Sequence, residues 1–115
     1  MKLKNPFSLR IRLLYMDVWS CWLCGLNGQN RGGLSIHHIR GRISASIFNS
    51  SLLCGYCHEH MGHSEEEERM IFLITLKWIY NIKYMPLPED YEFLRDEETY
   101  RRLITPEAKE WIMKL

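Results

Sequence analysis

Leu34-Ser-Ile-His-His-Ile-Arg-Gly-Arg-Ile-Ser-Ala-Ser-Ile-Phe-Asn-Ser-Ser-Leu-Leu-Cys-Gly-Tyr-Cys-His58 joins a strand pattern, a loop, a second strand pattern and a Cys-x-x-Cys turn. Leu34 to Ile39 alternates apolar and polar side chains with the period of two that a half-buried strand requires. Residues 40–50, with Gly41, read as a polar loop, and Ser51 to Cys54 as a short second strand. Two adjacent histidines, His37 and His38, fall inside the first strand. Neighbours on a strand point to opposite faces, so the two cannot share a role unless the strand twists or ends there.

The second knuckle, Cys54-Gly-Tyr-Cys57, has a counterpart in Cys21-Trp-Leu-Cys24 about 30 residues earlier. Two such pairs suit one tetrahedral ion, because each tight turn aims two thiolates at the same point. Gly25 and Gly55 suit knuckle turns that need positive φ. A disulfide pairing needs an oxidising compartment, to which nothing here directs the chain. A redox pair would be expected once, beside a βαβ pattern. A structural Zn²⁺ held by Cys21, Cys24, Cys54 and Cys57 is the expectation, in a closed site that does no chemistry.

Outward from this centre, residues 8–20 place Leu9, Leu13, Met16 and Trp19 at helical spacing behind Ser8 as N-cap. Ser64 caps a helix opening with Glu65 to Glu68 and running to Trp78 or Tyr80, with Ile71, Ile74, Trp78 and Ile82 expected to pack on the core. Pro88 to Tyr100 reads as one short helix, and Thr105-Pro-Glu107 opens a last one with Trp111 and Ile112 on its apolar side. Met70, Trp78, Trp111 and Met113 are expected in the core.

Charge is unevenly distributed. Residues 1–63 carry seven Lys/Arg against two acids, a balance of +5, and residues 64–115 carry eight against twelve, a balance of −4. A basic lobe joined to an acidic one suits contact with phosphate through the first. Pro6, Ser8, Arg10 and Arg12 interrupt any apolar leader, and Met70 to Ile82 is too short to span a bilayer, so an intracellular, cytoplasmic protein without membrane contact is expected.

Ile36-His-His-Ile39, Asn49 with Leu52-Leu-Cys54, and Cys57-His58, bracketed by the cysteine pairs, resemble the zinc-containing HNH endonuclease family. The resemblance covers residues 15–64, a little under half the chain. It implies an α+β fold: a small ββα-metal nuclease core stapled by the four-cysteine zinc, flanked by N-terminal and C-terminal helices. The core with its N-terminal helix and knuckles would span residues 1–64, and residues 65–115 would form a helical extension packed on it.

By the same resemblance His37 and His58 would hold a catalytic Mg²⁺ or Mn²⁺, and His38 would be the general base that activates water. Asn49 would orient the loop bearing the base, through bonds to backbone, or join the metal site. Some family members place a further metal histidine one turn after the closing one; that position is Gly62 here, which makes His63, one step on, a candidate ligand. His60 has no assigned role. Arg40 and Arg42, directly after the doublet, and Arg31 in the glycine-rich loop are candidate phosphate grips. The implied activity is metal-dependent nicking or cleavage of DNA, held mostly through its backbone. The alternatives are a structure-selective or RNA-acting nuclease, or a catalytically silent DNA-binding or assembly module. The acidic C-terminal region could carry a homodimer contact or a protein partner.

Overall fold

The computed structural model of the chain describes residues 14–15, 18–26, 33–41, 43–61 and 64–115. Two strands, β1 (Leu34–His38) and β2 (Ser50–Cys54), pair antiparallel, with Leu34 opposite Cys54 and His38 opposite Ser50. A two-stranded hairpin is marginal alone and must be covered. Here β2 is buried along its whole length, whereas β1 buries only Ile36 fully and leaves Ser35 exposed.

Five helices follow among the described residues: α1 (Gly55–His60), α2 (Glu65–Asn81), α3 (Pro88–Arg95), α4 (Glu97–Leu103) and α5 (Pro106–Met113). The architecture is mixed α+β with one two-stranded sheet. Side-chain caps set most helix starts: Cys54 accepts from the Cys57 N–H at α1, Ser64 from Glu67 at α2, Asp96 from Thr99 at α4 and Thr105 from Ala108 at α5. Each satisfies a first-turn donor that the helix leaves without an internal partner, at about 1 kcal/mol apiece. No helix among the described residues is long and apolar enough to cross a membrane.

The largest helix, α2, buries Ile71, Phe72, Thr75, Leu76 and Ile79, packing on β2 and on a 3₁₀ turn at Ile47–Asn49. This face is rotated from the expected stripe, of which only Ile71 is fully buried; Ile74, Trp78 and Ile82 flank the core. Aromatic packing from the first knuckle explains the rotation. Trp22 stacks on Trp78 with ring centroids 5.6 Å apart, and Tyr15 meets Trp22 edge-on at 4.9 Å, so Trp78 caps one flank while the hairpin fills the centre. Met70 and Met113 are 42% and 79% exposed and are not core residues. Trp111 is half-buried, with the Lys114 ammonium 4.1 Å from its ring centroid.

Three further expectations are corrected. The loop between the strands is not simply polar, since Ile47 and Phe48 are fully buried in its 3₁₀ turn. The helix expected over Pro88 to Tyr100 breaks at Asp96, whose carboxylate leaves α3 to cap α4. Of the helix expected over residues 8–20, Leu9, Leu13 and Met16 lie outside the described residues. Leu14 is helical, but the helix does not reach Ser20, because the chain turns into the first knuckle and leaves Trp19 40% exposed.

A buried carboxylate fastens the inter-strand loop to α3. Asp90, fully buried, accepts from the Ser46 hydroxyl at 2.6 Å, the Tyr84 hydroxyl at 2.5 Å and the Leu87 N–H at 2.8 Å. Asp90→Ala would strand three buried donors, and we expect a loss on the order of 3 kcal/mol. Tyr84→Phe removes one donor and should cost about 1 kcal/mol. Urea titration at neutral pH checks both, and equal losses in the two variants would contradict the role given to Asp90.

Candidate functional site

The Sγ atoms of Cys21, Cys24, Cys54 and Cys57 all lie within 4.8 Å of one another. The Cys24–Cys54 separation is 3.8 Å, and a tetrahedral ion with bonds of about 2.3 Å to sulfur sets its ligands about 3.8 Å apart. None of the four is in a disulfide. Each knuckle folds its chain back on its first sulfur, with the Cys24 N–H 3.5 Å from Cys21 Sγ and the Cys57 N–H 3.4 Å from Cys54 Sγ. Gly25 adopts φ +78°, as the first turn requires. Gly55 instead opens α1, so the second knuckle needs no left-handed residue.

Four sulfurs this close are poorly served as thiols. Burial, reinforced by hydrogen bonds to Cys54 and Cys21, pushes the Cys57 thiol up to about 12. Burial also opposes ionisation of Cys21, but N–H groups of Cys24, Cys54 and Leu23 outweigh it and hold that thiol below its ordinary value. A divalent cation would relieve the clustering by taking all four in its coordination sphere. The donor set fits a structural metal such as zinc.

The histidines gather at the other end of the hairpin and on the helix after it. His37 on β1 and His58 on α1 meet edge to face, with ring centroids 4.7 Å apart and planes at 69°. Their meeting depends on Cys54, which ends β2 and caps α1 with no linker between. His38 is the last residue of β1, on the opposite face from His37. The strand ends there, with the Gly41 N–H folding back to the His38 carbonyl at 3.4 Å, so alternation no longer governs the chain beyond it.

Asn49 holds that turn. Its Oδ1 accepts from the Arg40 N–H, and its Nδ2 donates to the Gly41 and Ser44 carbonyls, each at 2.9 Å. Of the two roles considered for Asn49, its side chain is engaged in the first, orienting the loop after His38. Behind it, the Tyr15 hydroxyl bonds Ser50 Oγ, which donates to the Ile47 carbonyl at 2.6 Å. Burial pushes the Tyr15 hydroxyl's ionisation well above its ordinary range, and since Ser50 donates its proton to Ile47, Tyr15 is the donor.

Arg40 is placed otherwise than as a solvated phosphate grip. Its side chain is 9% exposed, and Nη1 donates to Asp96 Oδ2 at 2.9 Å and to Thr99 Oγ1. The Thr99 N–H, followed by Arg40, holds the Asp96 carboxyl below the usual carboxylate range. Sequence reasoning missed Asp96 and Thr99; the available signal was Asp96-x-x-Thr99, a capping pattern inside an apparent helix. His60 lies against Tyr56, centroids 4.2 Å apart. His63, Arg31 and Arg42 lie outside the described residues. Among the described residues, only the four cysteines bring three or more metal-ligating groups together; His37 and His58 are a pair. Comparison of the chain with protein-family models, with curated proteins and with solved structures finds no match.

Metal removal tests the cysteine site. Chelation should abolish cooperative folding, since a structural zinc contributes on the order of 10 kcal/mol at neutral pH. Cys54→Ala should lower the melting temperature more than Cys24→Ala, because Cys54 is buried and also caps α1, whereas Cys24 is exposed. Metal content by atomic spectroscopy with thermal denaturation checks this; a metal-free protein that melts normally would refute it.

Proposed function

We propose that this chain is a metal-dependent DNA endonuclease of the HNH type, with a ββα-metal core. The observation that carries the reading is the juxtaposition of His37 and His58, 4.7 Å apart on a strand and on the helix that follows the hairpin. Two imidazoles so placed can turn nitrogens to one cation while leaving other positions to water and phosphate. A divalent ion such as Mg²⁺ or Mn²⁺ bound there supplies positive charge to the scissile phosphate and the departing 3′ oxygen.

The protein's own groups do the rest. His38 takes the proton from the attacking water as its oxygen bonds to phosphorus. The bond from phosphorus to the 3′ oxygen breaks, and that oxygen takes a proton from solvent, giving a 5′-phosphate and a 3′-hydroxyl. Asn49 keeps the turn after His38 in one conformation, which matters because misplacement of the base by about 1 Å can cost about 100-fold. His63 remains a candidate third ligand. Arg42 and Arg31 remain candidate phosphate grips, whereas one Arg40 nitrogen already serves an internal ion pair. Backbone contacts of this kind imply salt-sensitive binding with weak sequence preference.

Supercoiled plasmid incubated with Mg²⁺, Mn²⁺ or EDTA tests the reading. Wild type should nick or linearise the plasmid only with metal, and His38→Ala should cut roughly 100- to 10,000-fold more slowly with binding retained. His58→Ala should raise the metal concentration needed. Equal cutting by wild type and His38→Ala would overturn the base assignment. Binding without cutting of duplex, single-stranded or RNA substrates would make the chain a zinc-stabilised binding module.

A further inference from the structure

The residues after His38 are held from two sides. One is Asn49, within the hairpin. The other is the helical extension. Arg40, two residues past His38, sends Nη1 to Asp96 Oδ2 at 2.9 Å and to Thr99 Oγ1, spanning 56 and 59 residues of sequence. Asp96 ends α3 and caps α4, where its Oδ2 also accepts the Thr99 N–H at 3.1 Å. Thr99 is fully buried and the Arg40 side chain nearly so, while the Asp96 carboxylate is half-exposed. A little further along the same loop, Ser46 is tied to Asp90 of α3.

We propose that Asp96 and Thr99 are positioning residues: the junction of α3 and α4 sets the conformation of the turn bearing His38, through Arg40. The extension is then part of the working site and not an appendage. The arrangement has the right chemistry for the purpose. A guanidinium is planar and permanently charged, so a carboxylate and a hydroxyl fixed on one helix start define its direction. Arg40's own N–H is fixed by Asn49, so backbone and side chain of one residue are anchored on different elements. A one-residue bridge of this kind transmits any shift of α4 to the loop beside the base. Its catalytic consequence rests on the nuclease reading above, while the positioning itself does not.

Asp96→Asn is the discriminating variant, since asparagine caps a helix as well as aspartate and removes only the charge facing Arg40. With metal and plasmid, kcat should fall about 10- to 100-fold with KM changed by no more than roughly twofold. Combining it with Arg40→Gln should add little to the worse single variant, as expected for two ends of one contact. Glu98→Gln, which breaks only an exposed pair with Arg101 on the same helix, should be silent. The imidazole NMR resonances of His38 should move in Asp96→Asn and stay in place in Glu98→Gln. Wild-type kcat in Asp96→Asn, or a loss confined to KM, would overturn the proposal. Should the wild type cut no nucleic acid, the nuclease reading fails by itself, and the His38 resonances decide the positioning: unmoved, they overturn it.

Discussion

Cys54 sits under three constraints at once. It is the last residue of β2, paired opposite Leu34; its sulfur caps α1; and the same sulfur lies in the four-cysteine cluster. A change in any one of these moves the others, because no linker separates strand from helix. The first knuckle is drawn to the same place by the Trp22 N–H on the Leu52 carbonyl at 2.9 Å, and the Gly55 N–H on the Gly33 carbonyl at 2.9 Å ties the start of α1 to the chain before β1. His58 comes one residue after Cys57, so its meeting with His37 follows from the geometry of the cysteine site. A two-stranded sheet in a 115-residue chain has little margin of its own. The folding free energy available from a structural zinc is comparable to the whole stability of a typical domain.

Away from the cysteine cluster, polar side chains do the work that extra strands would do in a larger sheet. The loop between the strands has few backbone partners, yet Asn49, Asp90 and Arg40 supply bonds to it from three directions. Buried polar groups of this kind cost free energy unless satisfied, and once satisfied they permit only one arrangement. The loop is thus ordered by specific hydrogen bonds on one side and by Ile47 and Phe48 in the core on the other.

The legible parts of the sequence were those whose signals are local. Cysteine spacing, the alternation of Leu34 to His38, and the caps Ser64 and Thr105 each act within a few residues, and each reappears in the structure. Asn49 was legible as a loop-orienting amide, though its three backbone partners were not. What escaped depends on distant neighbours. The rotated face of α2 follows from Trp22 stacking on Trp78, and Met70 and Met113 are exposed where a helical pattern alone suggested core. Arg40 read as a candidate phosphate grip, and its contacts with Asp96 and Thr99 escaped because those partners lie 56 and 59 residues away. The break at Asp96 escaped for the related reason that a helix pattern and a capping pattern overlap there.

The division into a basic and an acidic half also looks different once the pairs are known. Arg40 of the basic half neutralises Asp96 of the acidic half, which takes one charge from each and leaves +4 against −3 for the remainder. Within the acidic half, Arg102 lies 2.6 Å from Glu68 and 3.8 Å from Glu65, so part of the glutamate run at the start of α2 already faces a cation. Exposed pairs like Arg101–Glu98 add little to stability, but Arg40–Asp96 joins the two halves through a nearly buried guanidinium. The charge asymmetry therefore serves partly to hold the extension against the hairpin, and only the remainder is available to steer a polyanion. A field built from the remaining basic residues, among them Arg31 and Arg42, would act on phosphate without reading sequence.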